Sequence, residues 1–197
     1  MSAEQNWLAE YLAQYRVSLF RADVLGPLVE LKALLKATQA SGKKVIVAGN
    51  GGSAAIASHC AVDLTKNAGI RCINFNEADL ITCFANDYGY EHWLEKALEF
   101  YADPGDTAIL ISSSGTSGNM VNAARFARSR GLAVVTLTGF AKGNPLDALG
   151  QVRFWVDSRA YNIVEMTHQI WLLAVCDLLI HEAGAPTTQE PGYAVSR

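Results

Sequence analysis

The chain has 197 residues, half of them apolar, and a formal net charge of −3. That length suits one domain with a sizeable core, and the charge provides no basic footprint for nucleic acid. No run of about 18 apolar residues marks a membrane span. The first residues, MSAEQNWLAEYLAQYR, lack the basic start and apolar centre of a signal peptide. Cys60, Cys72, Cys83 and Cys176 are widely spaced and sit in apolar company. Without CxxC pairs or a disulfide framework they read as reduced, mostly buried thiols of a cytoplasmic protein.

Trp7, Leu8, Tyr11, Leu12 and Tyr15 recur at helical spacing and predict a helix over 3–16. A second helix is expected from Leu25 to Gln39, with Pro27 in its first turn and Gly42 after its end. Two helices before the first strand cannot both be sheet crossovers. Residues 1–42 are therefore expected to form a helical arm, its aromatic stripe packing on another subunit. Alternation follows over 43–184. The apolar runs are Val45–Ala48, Ile70–Phe75, Ala108–Ile111, Ala133–Thr138 and Val152–Val156. Helical stretches at Ser53–Asn67, Ala78–Phe84, His92–Phe100 and Ser117–Arg130 separate most of them. Such alternation predicts an α/β fold, a doubly wound parallel sheet covered on both faces. The end, 185–197, carries two prolines and reads as a flexible tail.

Two turns carry the chemistry. Val45–Ala48 runs into Gly49-Asn50-Gly51-Gly52, and Ser53 opens an Ala-rich helix. A strand, a glycine turn and a helix start in that order make an anion site from free N–H groups and the helix dipole. Ala108–Ile111 runs into Ser112-Ser113-Ser114-Gly115-Thr116-Ser117 before the next helix. Two such turns at the carboxyl ends of core strands point to one shared phosphorylated ligand. The plainer alternatives are a simple link for the first turn and an N-cap at Ser117 for the second. His59 and Asp63 stand at i, i+4 on one helix face. That spacing suits a shared metal or an acid/base pair, or else a hydrogen-bonded histidine and a solvated carboxylate. Asp87, in an Asn-Asp turn, either reaches substrate or caps the turn. His92 and His181 have no motif around them and read as surface residues.

These motifs together resemble the sugar isomerase (SIS) domain family, and within it the phosphoheptose isomerases. The segments that carry the resemblance are Gly49–Thr65, Phe84–Gly89, Ile111–Asn119, Val135–Gly139 and Glu165–Leu178. It implies a flavodoxin-like fold and a homotetramer with sites between subunits. It also implies interconversion of sedoheptulose 7-phosphate and D-glycero-D-manno-heptose 7-phosphate, without an organic cofactor. By the resemblance, Ser112, Ser113, Ser114 and Ser117 grip the sugar phosphate, with Asn50, Gly51, Gly52 and Ser53 at the same pocket. Asn162 stands where relatives have an Asp that contacts the sugar.

Aldose–ketose isomerisation moves a proton between adjacent carbons, so it needs a base at carbon and an acid or a metal at the carbonyl oxygen. Relatives carry His at the position of His59, Glu at that of Asp63, Gln at that of Glu165 and a catalytic His at that of Leu173. Some bind zinc through these four. The resemblance thus implies His59, Asp63 and Glu165 as ligands of zinc or another divalent metal. It also implies Asp63, Glu165 and His168, at i+3 from Glu165, as proton-transfer groups. Leu173 can neither ligate nor transfer a proton. Two alternatives follow from it: a non-catalytic relative that binds phosphosugar or regulates replication initiation as a tetramer, or an isomerase of another sugar phosphate.

Overall fold

In a computed structural model, which describes residues 1–184, the five apolar runs become β1 (Val45–Gly49), β2 (Cys72–Ile73), β3 (Thr107–Ser112), β4 (Ala133–Thr138) and β5 (Val152–Trp155). All pair in parallel in one sheet of order β2-β1-β3-β4-β5. This is the strand order of flavodoxin-like folds. Every residue of β1 and β3 is buried, as expected of strands covered on both faces. The run Ile70–Phe75 yields only a two-residue edge strand. Asn76 explains the loss: its side-chain amide donates to the Ala54 carbonyl (2.8 Å) and to Ser58 Oγ (2.7 Å), drawing the chain off the sheet.

The helices are α1 (Ala3–Leu19), α2 (Leu25–Ala40), α3 (Gly52–Lys66), α4 (Ala78–Tyr88), α5 (Trp93–Tyr101), α6 (Gly118–Ser129) and α7 (Tyr161–Glu182). One core lies between the sheet and α2, α3 and α7, with Leu35, Ile56, Val175 and Leu179 among its members. The other holds α5 and α6 against the opposite face through Leu94, Leu98, Met120 and Ala124. The doubly wound architecture expected from the alternation is therefore present.

Two expectations change. Leu31 and Leu35 of α2 are fully buried on the sheet side, so α2 is a layer of this fold and not part of an arm. Only α1 stands out, with Ser18 its sole buried residue. It leans on α7 through Ser18 Oγ to Thr167 Oγ1 (2.9 Å) and a hydrogen bond from Trp171 Nε1 to the Leu19 carbonyl. Its Trp7 and Tyr11 rings stack at 5.4 Å, and Tyr15 meets Tyr11 edge-on. Secondly, α7 is long and apolar enough to cross a membrane by length and composition, although no such run was expected. Its Trp171, Leu172, Val175 and Leu179 are buried, which is the pattern of a core helix. Of the cysteines, Cys60, Cys72 and Cys176 are buried, whereas Cys83 is exposed on α4. The expected tail, 185–197, lies outside the described residues.

Candidate active site

β1 and β3 are neighbours in the sheet although β2 lies between them in the chain. Chain order therefore reverses at this pair, and a crevice opens at the carboxyl ends of the two strands. Both motif turns lie there, because Gly49 pairs in register with Ile111. Gly51 has φ of 55°, a conformation that glycine enters freely, and it turns the chain from β1 into α3. No side chain caps α3. The serine turn leaves α6 equally uncapped: Ser117 occupies the N-cap position but makes no cap hydrogen bond. Its hydroxyl lies 3.2 Å from Ser112 Oγ instead. Capping alone therefore does not account for these serines.

The two helix starts are stapled together. Asn50 and Asn119 exchange reciprocal amide hydrogen bonds of 3.0 and 2.9 Å, and Tyr90 adds its hydroxyl to Asn50 Oδ1 at 3.3 Å. Between them lies a cavity of about 220 Å³ lined by Asn50, Ser53, Ser112, Ser113, Ser114, Ser117 and Glu165, with Ile111 and Tyr161. Ser113 Oγ is buried and has no hydrogen-bond partner. A buried orphan hydroxyl at a cavity wall is a donor held ready for a ligand oxygen. Behind the turn, Gly139 N donates to the Ser113 carbonyl (2.9 Å) and Leu146 N to the Gly115 carbonyl (3.0 Å).

Glu165 enters this cavity from the first turns of α7. Its carboxylate lies against Gly52 and fills the space that a Cβ there would take. Burial raises the Glu165 carboxyl above its usual range, opposed by the nearby Ser113 hydroxyl, which stops short of hydrogen-bond geometry. A carboxylate with a raised pKa, in a polar cleft beside two helix starts, has the profile of a general base.

The other expected site residues lie apart. His59 is half exposed on α3; its Nε2 is 3.6 Å from Asp63 Oδ2, and Gln169 Nε2 lies 2.8 Å from its Nδ1. The i, i+4 pairing is thus present, but His59, Asp63 and Glu165 do not converge. Among the described residues, no three His, Cys, Asp or Glu side chains form a group able to hold a metal ion. The expected zinc set does not fit within one chain. His168 is fully buried; its Nε2 bonds the Thr138 carbonyl at 3.0 Å, and burial lowers its pKa to about 4. The expectation of a proton shuttle there is corrected: the buried imidazole is bonded to the end of β4 and does not line the cavity. Asp87 is exposed at the end of α4, where its carboxylate takes hydrogen bonds from Asn86 and Cys83. Asn162 is exposed too, and its backbone carbonyl accepts from the Tyr15 hydroxyl at 3.2 Å. Neither lines the cavity. Tyr161, Tyr90, Asn119 and Gln169 were missed. Asn119 stood inside the quoted serine motif, but nothing in the spacing announced its bond to Asn50.

Residues 11–139 match the SIS domain model, and the chain belongs to the SIS domain family. More particularly, it is 36% identical over 153 residues to the phosphoheptose isomerase of Mycobacterium bovis, covering 74% of this chain and 77% of that one. It is 32% identical over 182 residues to that of Aliarcobacter butzleri, covering 89% and 96%. The fold matches phosphoheptose isomerase GmhA from Neisseria gonorrhoeae with a TM-score of 0.82 and 26% identity, covering 90% of this chain and 98% of that one.

Proposed function

We propose that this protein is an aldose–ketose isomerase of a phosphosugar, interconverting sedoheptulose 7-phosphate and D-glycero-D-manno-heptose 7-phosphate. The observation that carries the reading is the pair of uncapped helix starts meeting at one serine-lined cavity with Glu165 in its wall. Similarity to enzymes named phosphoheptose isomerase supports the same substrate. Phosphate oxygens take hydrogen bonds from Ser112, Ser113, Ser114 and Ser117, and the dipole of α6 favours their charge. Among the described residues no lysine or arginine lines the cavity, so hydroxyls, N–H groups and helix dipoles carry the anion. Glu165 removes the proton from the carbon next to the carbonyl and returns it to the former carbonyl carbon, while the hydroxyl proton passes between the two oxygens of the enediolate. Oxygen charge in the enediol develops near the start of α3, where backbone dipoles stabilise it.

Ser114→Ala combined with Ser117→Ala should weaken sugar-phosphate binding by roughly 1–3 kcal/mol. Calorimetry on the folded variant checks this, and unchanged affinity excludes the serine turn as the phosphate site. Turnover over a panel of C5 to C7 sugar phosphates tests the substrate. Inactivity across the panel, with phosphate binding intact, favours the non-catalytic alternative.

The working unit in this reading is a homotetramer in the cytoplasm. Trp7, Leu8 and Leu12 on α1 are each at least half exposed, which leaves an apolar stripe for another copy. The three buried thiols are unpaired, in keeping with a reducing compartment. Removal of residues 1–16 should lower the particle mass in light scattering; an unchanged mass would take the arm out of assembly.

A further inference from the structure

A larger cavity, about 340 Å³, lies at the β5 edge of the sheet, and its walls do not overlap those of the serine-lined one. Three cations line it: Arg21 from the α1–α2 link, Lys142 from the loop after β4, and Arg153 on β5. Arg21 is neutralised by Asp23 at 2.5 Å. Lys142 and Arg153 make no ion pair among the described residues. The remaining acid on the wall is Asp147, so the lining keeps a net positive charge. Trp155 forms part of the wall between the cations, with Lys142 Nζ 5.4 Å and the Arg21 guanidinium 5.7 Å from its ring. Its indole Nε1 is buried without an acceptor. Two cations supplied by separate elements around one space suit an anion with several oxygens. The volume falls within the range of small-molecule sites.

The same loop braces the serine turn. Gly139 and Leu146 donate to the Ser113 and Gly115 carbonyls, and Asn144 Oδ1, packed on Gly115, accepts from Asp147 N at 2.9 Å. Lys142 and Asp147, both on the larger cavity's wall, thus lie in the segment that positions the phosphate turn.

We propose that this cavity is a second site for a small phosphoryl-bearing molecule, and that its occupation is felt at the serine turn through residues 139–147. The test uses the full chain and three probes, namely inorganic pyrophosphate, AMP and sedoheptulose 7-phosphate, which separate inorganic, nucleotide and sugar-phosphate sources. Calorimetry should count two sites per chain for at least one probe, falling to one in Lys142→Gln combined with Arg153→Gln. Both side chains are exposed, so the variant should fold. A Trp155→Phe variant gives an independent reading, because probe-induced fluorescence quenching should shrink at least threefold. One site in the wild type, or two equal sites in the double variant, overturns the proposal. The probe with two sites should also shift KM for the sugar phosphate at least threefold in the wild type and not in the double variant. An equal KM shift in both proteins is competition at the serine turn and overturns the coupling, as does binding with no shift. Calorimetry reads the second site whether or not the protein isomerises heptose phosphate, so the two readings fail separately.

Discussion

Glu165→Gln should lower kcat by roughly 10²–10⁴-fold, the range for losing a positioned general base. The expectation rests on Glu165 being the only carboxylate among the described residues that line the serine-rich cavity, while the fully buried His168 and the solvent-facing Asp87 cannot replace it. The pH dependence supplies a second reading. Burial holds the Glu165 carboxyl above the ordinary 4.5, so the acid limb of the wild-type rate profile should have its midpoint above that value. The sign for stability is opposite to that of a salt-bridged acid. A carboxyl whose folded pKa is raised binds its proton more tightly in the native state. Its contribution is most favourable below pH 4.5 and declines as pH rises through the folded pKa. The amide variant lacks that decline and should melt no lower than wild type at pH 7. A variant with wild-type turnover would remove Glu165 from the chemistry. A variant that is both inactive and less stable at pH 7 would make its role structural.

The parts of the fold set by periodicity were legible. β4 begins and ends where its apolar run does, β1 and β5 differ from theirs by one residue at one end, and β3 by one residue at each end. The failures came where tertiary partners decide. Ile70–Phe75 looked like a full strand, but Asn76 ties the chain to α3 and leaves a two-residue edge. The site was legible where backbone and small side chains build it, as at Gly51, Ser53 and Ser112 to Ser117. It was not legible on α7, where facing is a question of packing. Positions 165 and 168 are neighbours on a helix surface, yet Glu165 reaches the cavity while His168 turns into the core and bonds the end of β4. A spacing of three places both on one side; which of them meets solvent depends on the layer beneath. The Asn50–Asn119 staple was hidden for the same reason, since it joins two turns 69 residues apart in the chain.

Gly115→Ala should destabilise the fold by about 2–5 kcal/mol and abolish sugar-phosphate binding, whereas Gly52→Ala should leave stability nearly intact and reduce kcat. Gly115 sits in the serine turn with φ of 67°, where an L side chain adds about 1–2 kcal/mol of strain. Its missing Cβ is also filled by the Asn144 amide. That amide is buried and donates to the Gly139 and Ala141 carbonyls while accepting from Asp147 N. It cannot retreat without breaking those bonds, so overpacking adds about 1–3 kcal/mol. In a chain of this size the sum lowers Tm by roughly 4–20 °C. The turn would open even in molecules that stay folded, separating Ser114 from Ser117. At Gly52 the obstructing atoms belong to the Glu165 carboxylate, the far end of a flexible side chain. A methyl there swings the carboxylate aside at little cost to folding but takes the base from its place over the start of α3. Thermal melts and single-turnover kinetics on the two variants separate the cases. Loss of stability at Gly52, or its absence at Gly115, would mean that the carboxylate and the Asn144 amide do not fill those spaces.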